Sequence, residues 1–200
     1  PISFAHLPKS ITKLVLENCT FVGGFDWSFL TGSNVRELDF IRVKDVDVTQ
    51  LGSALAVYLK AQGLDKLRCW GSTFVNETLA AVGVELGRIK RLSLEDIRVD
   101  DASVELIALT LQSPNSEMRE LMLSYEDETM SGIENYLVPA LKHPSCHLTK
   151  LSLPVYFEWH GEAAERLEDA FHNRRALFAL LQGQQVRRLY CSLWRLPVEM

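Results

Sequence analysis

The stretch LDKLRCWGSTF, residues 64–74, carries leucines at its first and fourth positions and a small apolar residue at its sixth. The same spacing of three apolar residues recurs along the chain at intervals of roughly 24 to 38 residues, a period typical of repeat architectures. Seven such units begin at Ile11, Val35, Leu64, Ile89, Met118, Leu148 and Val186. The chain is therefore expected to copy one supersecondary element several times.

Each unit combines a short strand pattern with a helical pattern after it. After the second unit, Asp47 precedes apolar residues spaced for one helix face, and Gly63 follows them as a stop signal. Comparable helices are predicted to open at Asn76, Asp101 and Ser131, and the first two to close at Gly87 and near Pro114. A strand or helix of this kind cannot bury its apolar face alone, so stacked units are expected to form an α/β solenoid.

Three intervals depart from this pattern. Residues 21–34 contain three glycines in place of a helical stripe, so an irregular connection is expected there. Pro139 lies inside the fourth helical segment, which should kink or begin late because proline removes a backbone donor. Residues 162–182 are longer and fit either one helix or two.

The seven units, together with HPSCHL at residues 143–148, resemble leucine-rich repeats of the ribonuclease-inhibitor type over residues 11–196. The resemblance implies a right-handed horseshoe of about seven repeats, with a parallel β-sheet on the concave face and helices on the convex face. One domain is expected over residues 1–200, as a fragment of a longer protein. Members of this class mostly bind other proteins and rarely catalyse reactions.

Composition excludes several alternatives. The formal net charge of −5 disfavours nucleic acid as a partner, and no apolar run is long enough for a membrane span. The four cysteines are widely separated and fall at or near core positions, which indicates reduced, buried thiols and a cytoplasmic or nuclear location. Two glycosylation triplets, at Asn18 and Asn76, keep secretion open as an alternative.

Function in such a scaffold depends on strand side chains that face away from the core, because these alternate with the buried leucines. An exposed tryptophan beside an arginine is typical of an interface hot spot, so Trp70 and Arg68 are the predicted anchors. The alternative is that Trp70 stacks on Ile41 and only covers the sheet. The predicted partner-binding residues of the concave face are Asp39, Arg68, Trp70, Arg91, Glu95, Met122 and Tyr190.

Charge is segregated along the units. Every unit has a basic residue at its second or third position, while acidic residues collect after the strands and are densest at residues 126–128. One basic rim and one acidic rim are therefore expected. The pattern would complement the helix dipoles, or the acidic rim would attract a basic protein surface.

Motifs for catalysis are missing from the sequence. It contains no phosphate-binding loop, dinucleotide fingerprint or nucleophile elbow, and only His143, Cys146 and His147 suggest a metal cluster. Cys146 is already explained as a core residue, so neither an enzyme nor a cofactor is expected. The predicted function is a protein-interaction module that binds through its concave sheet. Alternatives are a substrate-recognition or sensor arm of a ubiquitin-ligase adaptor or immune receptor, and a metal-dependent enzyme.

Overall fold

The computed structural model describes residues 7–21, 25–123, 132–153 and residue 169. These residues contain one six-stranded sheet whose strands are all parallel and follow one another in chain order. The strands are β1 Lys13–Glu17, β2 Glu37–Ile41, β3 Lys66–Trp70, β4 Arg91–Glu95, β5 Glu120–Leu123 and β6 Lys150–Ser152. Each begins at the third position of a sequence unit. The predicted α/β class is confirmed, whereas the seventh unit, from Val186, lies outside the described residues.

Four α-helices connect the strands within the described part of the chain. They are α1 Val48–Gln62, α2 Val75–Val82, α3 Asp101–Gln112 and α4 Val138–Lys142. Two 3-10 helices cover Trp27–Leu30 and Gly83–Arg88, and a π-helical turn covers Ile133–Leu137. None of the described helices is both long and apolar enough to cross a membrane.

The core lies between one face of the sheet and the helices. The fourth position of each unit is a leucine, and these leucines are direct register partners from β1 to β6. The sixth positions form a second buried row that includes Phe40, Cys69 and Leu94. Helix residues such as Leu55 and Leu59 belong to the same cluster. Because side chains alternate along a strand, the opposite face of the sheet is left for polar residues.

Helix α1 has the boundaries that the sequence predicted. The carboxylate of Asp47 accepts hydrogen bonds from the backbone N–H groups of Thr49 and Gln50, at 3.1 and 3.0 Å, as an N-cap does. Gly63 ends the helix with φ 69° and donates its N–H to the carbonyl of Leu59. Both signals are therefore confirmed.

The predicted start of α2 is wrong. Asn76 does not cap this helix, which begins at Val75 after Phe74, and it ends at Val82 before a 3-10 segment, not at Gly87. Phe74 is buried against Phe40, with ring centroids 5.4 Å apart, so core packing sets this boundary. Tertiary contacts have overridden the local capping signal.

The last two helices follow the sequence in part. Asp100, not Asp101, caps α3, because its carboxylate accepts the backbone N–H of Ser103 at 2.8 Å. The helix ends at Gln112, just before Pro114, as expected. The fourth segment is helical from Gly132, first through the π-helical turn Ile133–Leu137 and then as α-helix from Val138, so the irregularity expected around Pro139 takes this form and not that of a late start. Ser131 and residues 162–168 and 170–182 lie outside the described part of the chain.

The connection between β1 and β2 is irregular, as predicted. Its described part holds a single 3-10 turn, Trp27–Leu30, and an aromatic cluster takes the place of a helix. Trp27 is fully buried, with its ring 5.2 Å from that of Phe21, 4.7 Å from that of Phe25 and 5.8 Å from that of Phe40. Large aromatic side chains thus cover this end of the sheet core.

Candidate functional site

The strand side chains opposite the core form one continuous surface, which we call the polar sheet face. It brings together six of the seven predicted binding residues, and Tyr190 lies outside the described residues. Its members are Lys13, Val15, Glu17, Glu37, Asp39, Ile41, Lys66, Arg68, Trp70, Arg91, Ser93, Glu95, Glu120, Met122, Lys150 and Ser152.

Arg68 and Glu95 form the best-defined contact of this face. Arg68 Nε lies 2.9 Å from Glu95 Oε1 and Nη2 lies 3.0 Å from Oε2, while the Ser93 hydroxyl donates to Oε1 at 2.6 Å. Burial acts to raise the pKa of Glu95, but the hydrogen bonds from Arg68 and Ser93 outweigh it and hold this pKa below its usual value. The hydrogen bonds from Arg68 to Glu95 also raise the pKa of Arg68 above its usual value, so they favour the charged form of both groups. This pair is charged at neutral pH and fixed in one geometry.

Trp70 is half-buried, not exposed as the sequence suggested. The guanidinium carbon of Arg42 lies 4.6 Å from the ring centroid, and that of Arg68 lies 5.9 Å from it. Both distances are within the range of cation–π attraction. Ile41 is the register partner of Trp70 in β2. It therefore lies beside the tryptophan, as the alternative of Trp70 stacking on Ile41 requires. The tryptophan is therefore held by its neighbours while part of it stays accessible.

Arg42 is a site residue that the sequence patterns missed. It follows β2 directly and so lies outside the alternation used to select exposed residues. A signal was nevertheless available. The equivalent positions after the other three of the first four strands hold Asn18, Gly71 and Asp96, so the arginine stands out.

Asp39 does not occupy the exposed position that was predicted for it. The residue is only 3% exposed, and its carboxylate lies between the ammonium groups of Lys13 and Lys66, 3.5 Å from each. Its register partners on either side are Val15 and Arg68. The side chains of the neighbouring strands therefore cover Asp39, and its carboxylate faces the two lysines.

Arg91 and Met122 lie further along the same face. Arg91 reaches across β3 to donate to Glu37 Oε1 at 3.0 Å, and it also contacts the carbonyl of Asp65 at 3.2 Å. The hydroxyl of Ser93 lies 3.5 Å from the sulfur of Met122. A depression of about 210 Å³ spans this region and is lined in part by Arg68, Arg91, Ser93, Glu95 and Met122. Four predicted residues thus surround one concavity.

The expected basic rim is compensated by acidic residues in the same row. Glu37 and Glu120 lie beside the basic third positions of neighbouring strands, as in the Lys13–Glu37 and Lys150–Glu120 pairs at 3.8 and 3.7 Å. The sequence rule counted only the basic residues and so missed this cross-strand complementarity. Asp47 and Asp100 of the acidic set serve as helix caps. Residues 126–128 lie outside the described residues.

No protein-family model, curated protein or solved structure matches this chain. Function must therefore be inferred from the polar sheet face and its surroundings.

The metal candidates do not form a ligand set. Cys146 is fully buried in the core, and His143 Nδ1 accepts the backbone N–H of Ser145 at 3.3 Å in a turn. Within residues 7–21, 25–123 and 132–153, no three His, Cys, Asp or Glu side chains are placed to hold a metal ion. Cys69 is also no nucleophile, because burial, with a smaller contribution from the charge of Asp39, raises its pKa to about 12.

Proposed function

We propose that this chain is a leucine-rich-repeat protein of the ribonuclease-inhibitor type and binds a partner protein through the polar sheet face, without catalysis. In this proposal the sheet lines the concave side of a right-handed solenoid of about seven repeats. Six strands that each begin at the third position of a unit support it. Parallel strands joined by crossover connections are right-handed in nearly all known cases.

The observation that carries the proposal is the environment of Trp70. The residue lies on β3, an inner strand of the sheet, and two guanidinium groups flank its ring. Tryptophan and arginine dominate the binding energy of protein interfaces, especially near their centres. Because Arg68 is already fixed by Glu95, little side-chain entropy remains to be lost when a partner binds.

Charge pairing favours a protein over a nucleic acid as the partner. Lys13 and Lys66 both contact Asp39, Arg68 contacts Glu95, and Arg91 contacts Glu37. Binding to nucleic acid depends on cations that neutralise phosphates and release counterions. Cations that are already neutralised within the face contribute little to that mechanism.

The test begins with affinity capture from a lysate of the organism that encodes the chain, followed by titration calorimetry with the purified partner. We expect Trp70→Ala to raise the Kd by about 30-fold or more, the hot-spot threshold of about 2 kcal/mol. Arg68→Ala should act in the same direction. Val84→Ala is the matched control, because Val84 is 84% exposed and lies outside the strands.

An unchanged Kd for both Trp70→Ala and Arg68→Ala would remove the polar sheet face as the binding site. Each variant must first show wild-type thermal unfolding. Leu67→Ala is unsuitable as a probe of binding, since Leu67 is 3% exposed and its truncation should cost about 2 to 5 kcal/mol of stability.

A further inference from the structure

The first four strands end in the same unusual backbone conformation. The residue after each strand has a positive φ: 52° at Asn18, 51° at Arg42, 58° at Gly71 and 53° at Asp96. The first three of these residues donate their N–H groups to the carbonyl of the last residue in the next strand, at 2.8, 2.7 and 3.0 Å. The carboxyl end of the sheet therefore presents these residues side by side.

Of the four residues that follow the strands, Arg42 is the one for which a positive φ is energetically unfavourable. Glycine adopts a left-handed conformation freely, and asparagine and aspartate tolerate it, but for other residues it costs about 1 to 2 kcal/mol. The strained backbone sets the aliphatic stem of Arg42 close to Gly71, where an added Cβ would lie 3.4 Å from Arg42 Cγ. An observed strain of this kind points to a function for the side chain.

An open depression of about 410 Å³ lies at this edge of the sheet, and we call it the strand-exit pocket. Two of its residues are cations, Arg42 and Lys44, and both are exposed. They take part in none of the ion pairs found among the described residues, in contrast to the lysines and arginines of the polar sheet face. The pocket is lined by Asn18, Thr20, Arg42, Lys44, Gly71 and Asp96.

We propose that the strand-exit pocket binds the carboxylate of an acidic side chain of the partner protein. The planar guanidinium of Arg42 matches two carboxylate oxygens, and Lys44 adds a second cation. Asn18 and Thr20 supply further hydrogen-bond donors. Two cations and the carboxylate of Asp96 leave one net positive charge, which a single carboxylate neutralises.

This inference rests on the proposed function, because the acidic residue would belong to the partner that contacts Trp70. Arg42 connects the two regions, since it lines the pocket and its guanidinium lies over the Trp70 ring. A partner segment lying along the polar sheet face toward the strand exits would reach both. Trp70 would supply contact area, and the pocket would select a segment that carries Asp or Glu.

The experiment uses the full chain, labelled with ¹⁵N, and an acetylated and amidated hexaglutamate peptide as the probe. We expect saturable shifts at the amides of Asn18, Arg42 and Gly71 and at the Trp70 indole, and none with hexaglutamine. Arg42→Asn removes the charge and still accepts the left-handed backbone, so it should raise the Kd about tenfold. Lys44→Gln should raise it several-fold.

Lys60→Gln is the matched control, because Lys60 is an exposed cation on α1. A Kd for hexaglutamate that rises as much with Lys60→Gln as with Arg42→Asn, or that Arg42→Asn leaves unchanged, would overturn the pocket. If a phosphoserine hexapeptide binds more than tenfold more tightly than hexaglutamate, the ligand of the pocket is a phosphate and not a carboxylate.

Partner binding separates this inference from the proposed function. If the partner needs Trp70 but binds Arg42→Asn and Lys44→Gln with unchanged Kd, the pocket is wrong and the binding face remains. If hexaglutamate binds the pocket but the Kd of the partner is unchanged by Trp70→Ala and Arg68→Ala, the polar sheet face is not the binding face and the pocket remains.

Discussion

Arg68 on β3 and Glu95 on β4 are joined by two parallel hydrogen bonds, 2.9 and 3.0 Å long. Hydrogen bonds between ionised partners are about twice as strong as neutral ones, and the paired geometry fixes the direction of the guanidinium. The guanidinium carbon of Arg68 consequently stays 5.9 Å from the ring centroid of Trp70. One cross-strand contact therefore couples the stability of the sheet to the shape of the proposed binding face.

Acid should weaken the fold in part through Glu95. Its folded-state pKa lies below the unfolded value of about 4.3, so its stabilising effect is complete above that pH and is lost as the pH falls through the folded pKa. We expect Glu95→Gln to lower the free energy of unfolding at pH 7 by about 1 to 2 kcal/mol. Urea unfolding at a series of pH values from 7 to 3 should show this difference narrowing in acid.

The control for this measurement is Glu105→Gln. Glu105 is exposed on α3, and a surface substitution of this kind should change the free energy of unfolding by less than about 0.5 kcal/mol. If the difference in free energy of unfolding between the wild type and Glu95→Gln stays constant down to pH 3, the ionisation of Glu95 is not linked to folding.

Two glycines with positive φ should respond differently to alanine. At Gly63, with φ 69°, an added Cβ would lie 2.7 Å from the carbonyl oxygen of Arg88, whereas Gly83, with φ 59°, has no atom within 4 Å of that position. Gly83→Ala should cost only backbone strain, about 1 to 3 kcal/mol. Gly63→Ala should cost more, because the carbonyl must also move. Differential scanning calorimetry would contradict this if the Tm of Gly63→Ala equalled or exceeded that of Gly83→Ala.

The repeating pattern allowed the strands to be located from the sequence, because alternation along a strand is a local property. Asp47 and Gly63 were recognisable for the same reason, since a cap acts within its own turn. The burial of Asp39 could not be recognised from the sequence, because it depends on lysines from two neighbouring strands. Arg42 was missed because a left-handed residue just after a strand belongs to neither the strand nor the helix pattern.

Cys69 should be chemically inert in the folded protein. Its side chain is buried in the sheet core, and its pKa is raised to about 12, so almost no thiolate is present at pH 8. Cys19 is only partly buried. Brief alkylation with iodoacetamide at pH 8, followed by peptide mass spectrometry, should label Cys19 and leave Cys69 unmodified until denaturant is added. Equal labelling of both in the native protein would place Cys69 outside the core.

Asn76 provides a test of long-range against local hydrogen bonding. The sequence predicted a helix cap, but its amide donates to the carbonyl of Arg98 at 3.0 Å and its carbonyl accepts the hydroxyl of Ser103 at 3.0 Å. Asn76 thus links the start of α2 to α3. In a double-mutant cycle, Asn76→Ala and Ser103→Ala should show a coupling energy of about 0.5 to 1.5 kcal/mol.

The same cycle with Thr49 in place of Ser103 is the control, because Thr49 is exposed at the start of α1 and contacts Asp47. Residues without a shared partner should be additive within about 0.5 kcal/mol. If Asn76 acted only as a local cap, its removal would cost the same whether or not Ser103 were present. If the effects of Asn76→Ala and Ser103→Ala on urea unfolding are additive, the hydrogen bond between the two residues does not contribute to stability and the role of Asn76 is local.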